Sequence, residues 1–99
     1  MKASMCPKFT YTATLMSKRW TGFIVMQLMT GAKRFTELQH NINCSAKVLS
    51  QRLKELETMA LIEKVPCDDC AHDAYALTSK GSALKPVLDA MQSWGETWA

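Results

Sequence analysis

The sequence predicts a mainly helical chain with one small β-hairpin, arranged as a winged helix-turn-helix. Three observations carry that expectation. Apolar residues recur at helical spacing in four successive segments, two of these are joined by a tight turn, and two short alternating segments precede the last of them. Ninety-nine residues give surface for one core, so a single domain over 1–99 is expected.

Each element has its own signal. Pro7 is tolerated at a first helical position, and a short helix is expected from Phe9 to Met16. From Arg19 to Thr30, Trp20, Phe23, Ile24 and Leu28 fall on one face, with Gly31 as a left-handed stop. Thr36 followed by Gln39 reads as a capping box, and Leu38 and Ile42 form the apolar side of a short helix ending near Asn41 to Asn43. Ser45 can cap the next helix, where Leu49, Leu53, Leu56 and Ala60 make a narrow apolar stripe.

Leu61 to Val65 and Tyr75 to Leu77 read as strands flanking a loop from Pro66 to Ala74. Thr78 then caps a last helix carrying Leu84, Val87, Leu88, Met91, Trp94 and Trp98.

Charge and composition narrow the function. Residues 1–32 hold four cations and no acid, and 33–54 hold five cations and one acid, whereas 55–99 hold three lysines and eight acids. A basic first half suits a polyanion. No apolar run approaches the roughly 20 residues that cross a bilayer, so no membrane partner is expected. The start lacks the apolar stretch of a secretory signal, which points to the cytoplasm and to reduced cysteines. No paired-carboxylate, triad or phosphate-loop arrangement is present, so an enzyme is not expected.

Opposite the stripe of the Ser45 helix stand Ala46, Lys47, Ser50, Gln51 and Lys54, side chains suited to base edges and phosphates in a major groove. Lys33, Arg34 and Arg52 are assigned to phosphates, and Thr36 and Ser45 complete the expected interface with double-stranded DNA.

Together, these features resemble the HxlR-type regulators, a branch of the MarR-like winged-helix transcription factors. The resemblance runs from Cys6 to Trp94. It is carried by Cys6-Pro7, Lys18-Arg19-Trp20, Gly31, Arg34-Phe35-Thr36-Glu37-Leu38, Ser45 with Leu49, Leu53 and Leu56-Glu57, Leu61-Ile62, Tyr75-Ala76-Leu77-Thr78-Ser79-Lys80-Gly81, Leu84, Pro86 and Trp94. It implies a homodimer on a pseudo-palindromic operator, with recognition helices about 34 Å apart and the first and last helices as the interface.

Leu15, Leu84, Leu88, Met91, Trp94 and Trp98 are the interface residues expected here, the alternative for the last helix being plain core. Two departures stand out. Ala60 occupies a place where relatives usually carry Gly, so either the turn is not left-handed or Ala bears about 1 kcal/mol of strain. The loop Cys67-Asp68-Asp69-Cys70-Ala71-His72-Asp73 is acidic and would be repelled by phosphate.

Three cysteine sites follow. Cys6, before Pro7, stands at a helix N-cap, where the helix dipole and Lys8 favour a thiolate; the alternative is an inert packed thiol. Several HxlR-type proteins sense oxidants or electrophiles through a cysteine here, so the resemblance implies a small reactive electrophile or oxidant as signal. Cys44 precedes the recognition helix and is either a coupling site or a filler of the turn. Cys67, Cys70 and His72 offer one pair and a histidine, with Asp69 or Asp73 as a fourth ligand; a reversible disulfide of the Cys67-x-x-Cys70 pair and a plain polar wing are the alternatives. No cofactor is expected, and zinc there is the alternative. A metal-responsive regulator and a protein-interaction module without DNA binding are the alternative functions.

Overall fold

The computed structural model describes residues 6–67 and 73–99. In chain order these form α1 (Pro7–Met16), α2 (Arg19–Leu28), α3 (Phe35–Ile42), α4 (Ala46–Thr58), β1 (Ile62–Val65), β2 (Ala74–Leu77), α5 (Ser79–Ser82) and α6 (Lys85–Trp98). The central part of the expected hairpin loop, with Cys70 and His72, lies outside the described residues.

Pro7 opens α1 as expected, and the Cys6 carbonyl takes the first helical bond, from the N–H of Thr10 at 2.9 Å. Helix α2 is the centre of the fold, touching α1, α3, α4, α6 and β2. Its buried face is Thr21, Ile24, Val25 and Leu28, which corrects the expected stripe: Phe23 is 50% exposed and Trp20 only half-buried. The helix is apolar on nearly every side, so periodicity could not choose a face. Gly31 stops the chain after α2 with φ at 131°, a backbone open to glycine.

Lys33 then exchanges backbone bonds with Tyr75, at 2.9 and 2.8 Å, an antiparallel bridge that sets one extended residue beside β2. That pairing holds the chain extended up to Arg34, so α3 begins at Phe35. The capping acid is therefore Glu37, whose Oε1 accepts the Arg34 N–H at 2.9 Å; the expected Thr36–Gln39 pair is shifted, and Thr36 sits inside the first turn.

Asn43, left-handed with φ at 60°, turns the chain into α4. The Ser45 hydroxyl accepts the N–H of Val48 at 3.1 Å, and Leu49, Leu53 and Leu56 are buried, as the sequence predicts. Ala60, expected as the last member of that stripe, instead lies beyond α4, exposed and in the left-handed region, φ 62°, because the helix stops at Thr58. The Leu61 N–H reaches the Leu56 carbonyl at 3.0 Å and the Ala60 N–H the Glu57 carbonyl at 2.9 Å, the two bonds of a Schellman turn. Of the two alternatives, the strained one is realised.

Strands β1 and β2 pair antiparallel, Ile62 opposite Leu77 and Val65 opposite Ala74. The expected single C-terminal helix is two. Thr78 caps only α5, accepting the Gly81 N–H at 3.1 Å, and α6 restarts after Leu84. Pro86 causes the break, since it has no N–H for the Ser82 carbonyl and its ring crowds that oxygen.

The core gathers Leu15, Ile24, Leu28, Leu38, Leu49, Leu53, Leu56, Leu61 and Ile62 from α1 through β1. Two residues expected at a dimer interface, Leu15 and Leu88, are instead buried within the chain itself, and Leu84 packs half-buried on the same core. Met91, Trp94 (64% exposed) and Trp98 (73%) remain on the surface of α6, and Phe9, Tyr11, Phe23 and Met26 are exposed on α1 and α2.

Candidate nucleic-acid interface and thiol site

Because Leu49, Leu53 and Leu56 turn one side of α4 inward, Ala46, Lys47, Ser50, Gln51 and Lys54 all stand exposed. Small, amide and cationic groups at the N-terminal end of a helix can enter a major groove and meet both base edges and phosphates. Among the described residues neither Lys47 nor Lys54 is in an ion pair, leaving both charges available to a polyanion.

Arg52 differs from its expected role. It is half-buried, and its Nη1 lies 2.6 Å from Glu55 Oε1, which also receives Lys18 Nζ at 3.5 Å. Its guanidinium is therefore paired within α4, to Glu55. Arg34 is exposed, with Nε 3.4 Å from Glu37 Oε1. Acceptance of the Arg34 backbone N–H, then the Arg34 side-chain bond and the charges of Arg34 and Lys33, hold the Glu37 carboxyl below the usual value of 4.5. Thr36 is exposed beside Arg34, Lys33 is fixed by its backbone, and the Ser45 hydroxyl is engaged as the α4 cap.

One junction has no local sequence signal. Lys80 Nζ donates to the Met59 carbonyl at 2.8 Å and to the Tyr11 hydroxyl at 3.2 Å, and stands 5.5 Å from the Tyr11 ring centre. Three elements, α1, the end of α4 and α5, meet at this one ammonium.

Cys6 is a free, exposed thiol at the N-cap of α1, with Lys8 exposed one position into the helix beyond Pro7. Cys44 is free and half-buried against the core, immediately before the Ser45 cap. Cys67 is disulfide-bonded, and in that state its sulfur has no thiolate for a metal. Its expected companions Cys70 and His72 lie outside the described residues, and Asp73 is exposed. Among the described residues no three His, Cys, Asp or Glu side chains converge on a metal-sized site.

The chain matches the HxlR-like helix-turn-helix family over residues 15–99. It belongs to that family. The HTH-type transcriptional regulator YodB of Bacillus subtilis (strain 168) is 42% identical over 98 residues, covering 97% of this chain and 88% of YodB. YvaP of the same strain, an uncharacterised HTH-type transcriptional regulator, is 39% identical over 99 residues, covering 98% of this chain and 92% of YvaP.

Among solved structures, the reduced form of YodB superposes with a TM-score of 0.84 at 40% identity, covering 97% of this chain and 96% of that one. Quinone-bound YodB gives 0.83 at 41%, covering 95% and 100%. The redox regulator HypR in its reduced form gives 0.81 at 25%, covering 91% of each. This HxlR-like chain is accordingly a transcriptional regulator of helix-turn-helix type with a winged-helix fold. Among the described residues no helix is long and apolar enough to cross a membrane.

Proposed function

We propose that the chain acts as a homodimer that binds a pseudo-palindromic operator through α4, and that an electrophile or oxidant acting on Cys6 sets its affinity for DNA. The observation that carries the DNA half is the exposed face of Lys47, Ser50, Gln51 and Lys54 on a helix fixed by its Ser45 cap. Lys33, Arg34 and Thr36 extend the contact at the start of α3. Self-association is supported by the apolar surface of Met91, Trp94 and Trp98, larger than a monomeric surface helix ordinarily leaves in water.

The thiol half is supported by the free, exposed state of Cys6 and by similarity to a quinone-bound regulator. A modification changes DNA affinity only if its energy differs between the bound and free geometries of the dimer. The Lys80 junction between α1 and the end of α4 offers a path for that difference.

The test is fluorescence anisotropy on DNA from upstream of the chain's own gene, at two salt concentrations, reduced and then treated with a quinone or an oxidant. Tight, salt-sensitive binding that weakens on treatment in the native chain and is indifferent to treatment in Cys6→Ser is the expected result. Binding with no treatment effect would discard the thiol switch, and no binding at all would discard the operator.

A further inference from the structure

Helices α1 and α4 are separated by a cavity of about 880 Å³, walled by Pro7, Tyr11 and Thr14 on one side and by Gln51, Glu55 and Met59 on the other. Two cations tie these walls together. Lys18, in the turn after α1, reaches Glu55 at 3.5 Å, and Lys80, from α5, joins the Tyr11 hydroxyl to the Met59 carbonyl.

The two ties differ in what they hold. Leu15, the buried residue of α1, lies in its last turn, so that end of the helix is anchored by the core as well as by Lys18. Cys6 to Tyr11 are all exposed. Among the described residues, the bond from Lys80 to the Tyr11 hydroxyl is the one side-chain hydrogen bond between α1 and any other element. The ammonium also stands 5.5 Å from the Tyr11 ring centre, an attraction that adds to the bond.

At the far end of the tie, Met59 is the C-cap of α4, and its carbonyl is among those that a helix end leaves without an internal partner. Lys80 satisfies it at 2.8 Å, with the sign of charge that a helix C-terminus favours. The next carbonyl, that of Ala60, is held by the Thr78 hydroxyl. Residues 78–80 therefore grip the end of the DNA-reading helix, and Lys80 carries that grip across to α1.

We infer that Lys80 is a positioning residue for operator binding: by tying the N-terminal half of α1 to the end of α4, it sets the angle between the helix expected at the two-fold contact and the helix that enters the groove. The inference rests on the proposed dimer on DNA and adds the residue that fixes how far apart its two recognition helices stand. In a dimer the angle counts twice, once in each protomer. Half-sites about 34 Å apart on a duplex demand both a distance and a rotation, and one base pair added between them shifts the second by about 3.4 Å and roughly a tenth of a turn. A fixed angle rejects that spacer and a loosened one accepts it. Exposed polar ties contribute little to folding, so the loss falls on geometry rather than on the fold.

The experiment titrates the full native chain, Lys80→Met and Tyr11→Phe by fluorescence anisotropy on three duplexes: the fragment bound upstream of the chain's own gene, the same fragment with one base pair added between the half-sites, and a single half-site. The native chain is expected to prefer the native spacing on the order of tenfold. Lys80→Met is expected to cut that preference roughly fivefold, and Tyr11→Phe to cut it in the same direction, while affinity for the single half-site stays within about twofold. A preference unchanged in both variants, or a loss on the single half-site as large as on the whole fragment, would overturn the inference. Hydrogen exchange without DNA separates that failure from failure of the operator reading. The Ala60 and Leu61 amides, bonded at the end of α4, are expected to exchange several times faster in Tyr11→Phe, although the change lies in α1. Unchanged exchange there would overturn the tie whatever the DNA result. A native chain that bound none of the duplexes would overturn the operator reading, and exchange alone would then decide the tie.

Discussion

The hydroxyl of Thr78 donates to the carbonyl of Ala60 at 2.6 Å and accepts the N–H of Gly81 at 3.1 Å, so one side chain both braces the end of α4 and opens α5. The residue it braces is left-handed, a conformation that costs an L-residue other than glycine about 1–2 kcal/mol. The buried pair Leu56 and Leu61 and the Lys80 bond to the Met59 carbonyl hold the same turn from other sides. Ala60→Gly is expected to raise stability by up to about 1 kcal/mol, the relief of strain exceeding the entropy gained by the unfolded chain. Thr78→Val is expected to lower it by about 1–2 kcal/mol, because two backbone groups lose their partner. Urea unfolding of both variants checks the pair, and a destabilised Ala60→Gly would contradict the left-handed turn.

What the sequence made legible was local. Ser45 as cap, the Leu49, Leu53, Leu56 stripe and the polar face of α4 all follow from spacing within one helix, and each is found where the spacing puts it. The misplaced features depend on distant residues. The start of α3 is set by the pairing of Lys33 with Tyr75, which moved the capping acid to Glu37. The face of α2 is chosen by five neighbouring elements, and the carboxylate that pairs Arg52, Glu55, is shared with Lys18 from the turn between α1 and α2. Pro86 divides the C-terminal segment into two helices although the apolar period runs through it, so periodicity alone predicts one helix there.

The α3 cap gives a pH signature. Glu37 has its carboxyl lowered in the folded chain, mainly by the Arg34 backbone N–H, so the folded state binds that proton less readily than the unfolded one. Its contribution is fully present above the unfolded value of 4.5 and is lost as the pH falls through the lower folded value. The stability gap between the native chain and Glu37→Gln is therefore expected to be constant near neutrality and to shrink under acid. Urea midpoints across the acid range measure it; a gap that widened on acidification would reverse the sign and reject the cap.

Gly81 is required for space. A Cβ there would stand 2.1 Å from the Leu61 carbonyl oxygen, and backbone cannot yield as a side-chain tip does. Gly81→Ala is expected to cost at least about 2 kcal/mol through displacement of α5 from the Schellman turn. Thermal unfolding reads the loss, and a neutral result would place α5 further from Leu61 than its bonds indicate.

Cations on α4 are expected to separate by DNA binding. Lys47 and Lys54 are exposed and outside any ion pair among the described residues, so replacing either by Gln should weaken operator binding and reduce the slope of log affinity against log salt by about 0.9. Arg52 already faces Glu55 at 2.6 Å, so Arg52→Gln should leave that slope close to the native one. Anisotropy titrations at several salt concentrations decide it. An Arg52 effect equal to that of Lys54 would return Arg52 to the phosphate contacts.

The two ends of α6 should respond in opposite ways to truncation. Leu88 is 6% exposed and packs inward, so Leu88→Ala is expected to cost about 2–5 kcal/mol of folding stability as a cavity opens beneath the helix. Trp94 and Trp98 touch water over most of their surface, so Trp94→Ser with Trp98→Ser should leave the fold of a single chain intact and remove apolar area from a two-fold contact. Sedimentation of the double variant is expected to give a monomer whose far-ultraviolet circular dichroism matches the native chain, with operator affinity lost because two half-sites are no longer held together. A double variant that remained dimeric would move the contact to the exposed Phe9, Tyr11, Phe23 and Met26 of α1 and α2.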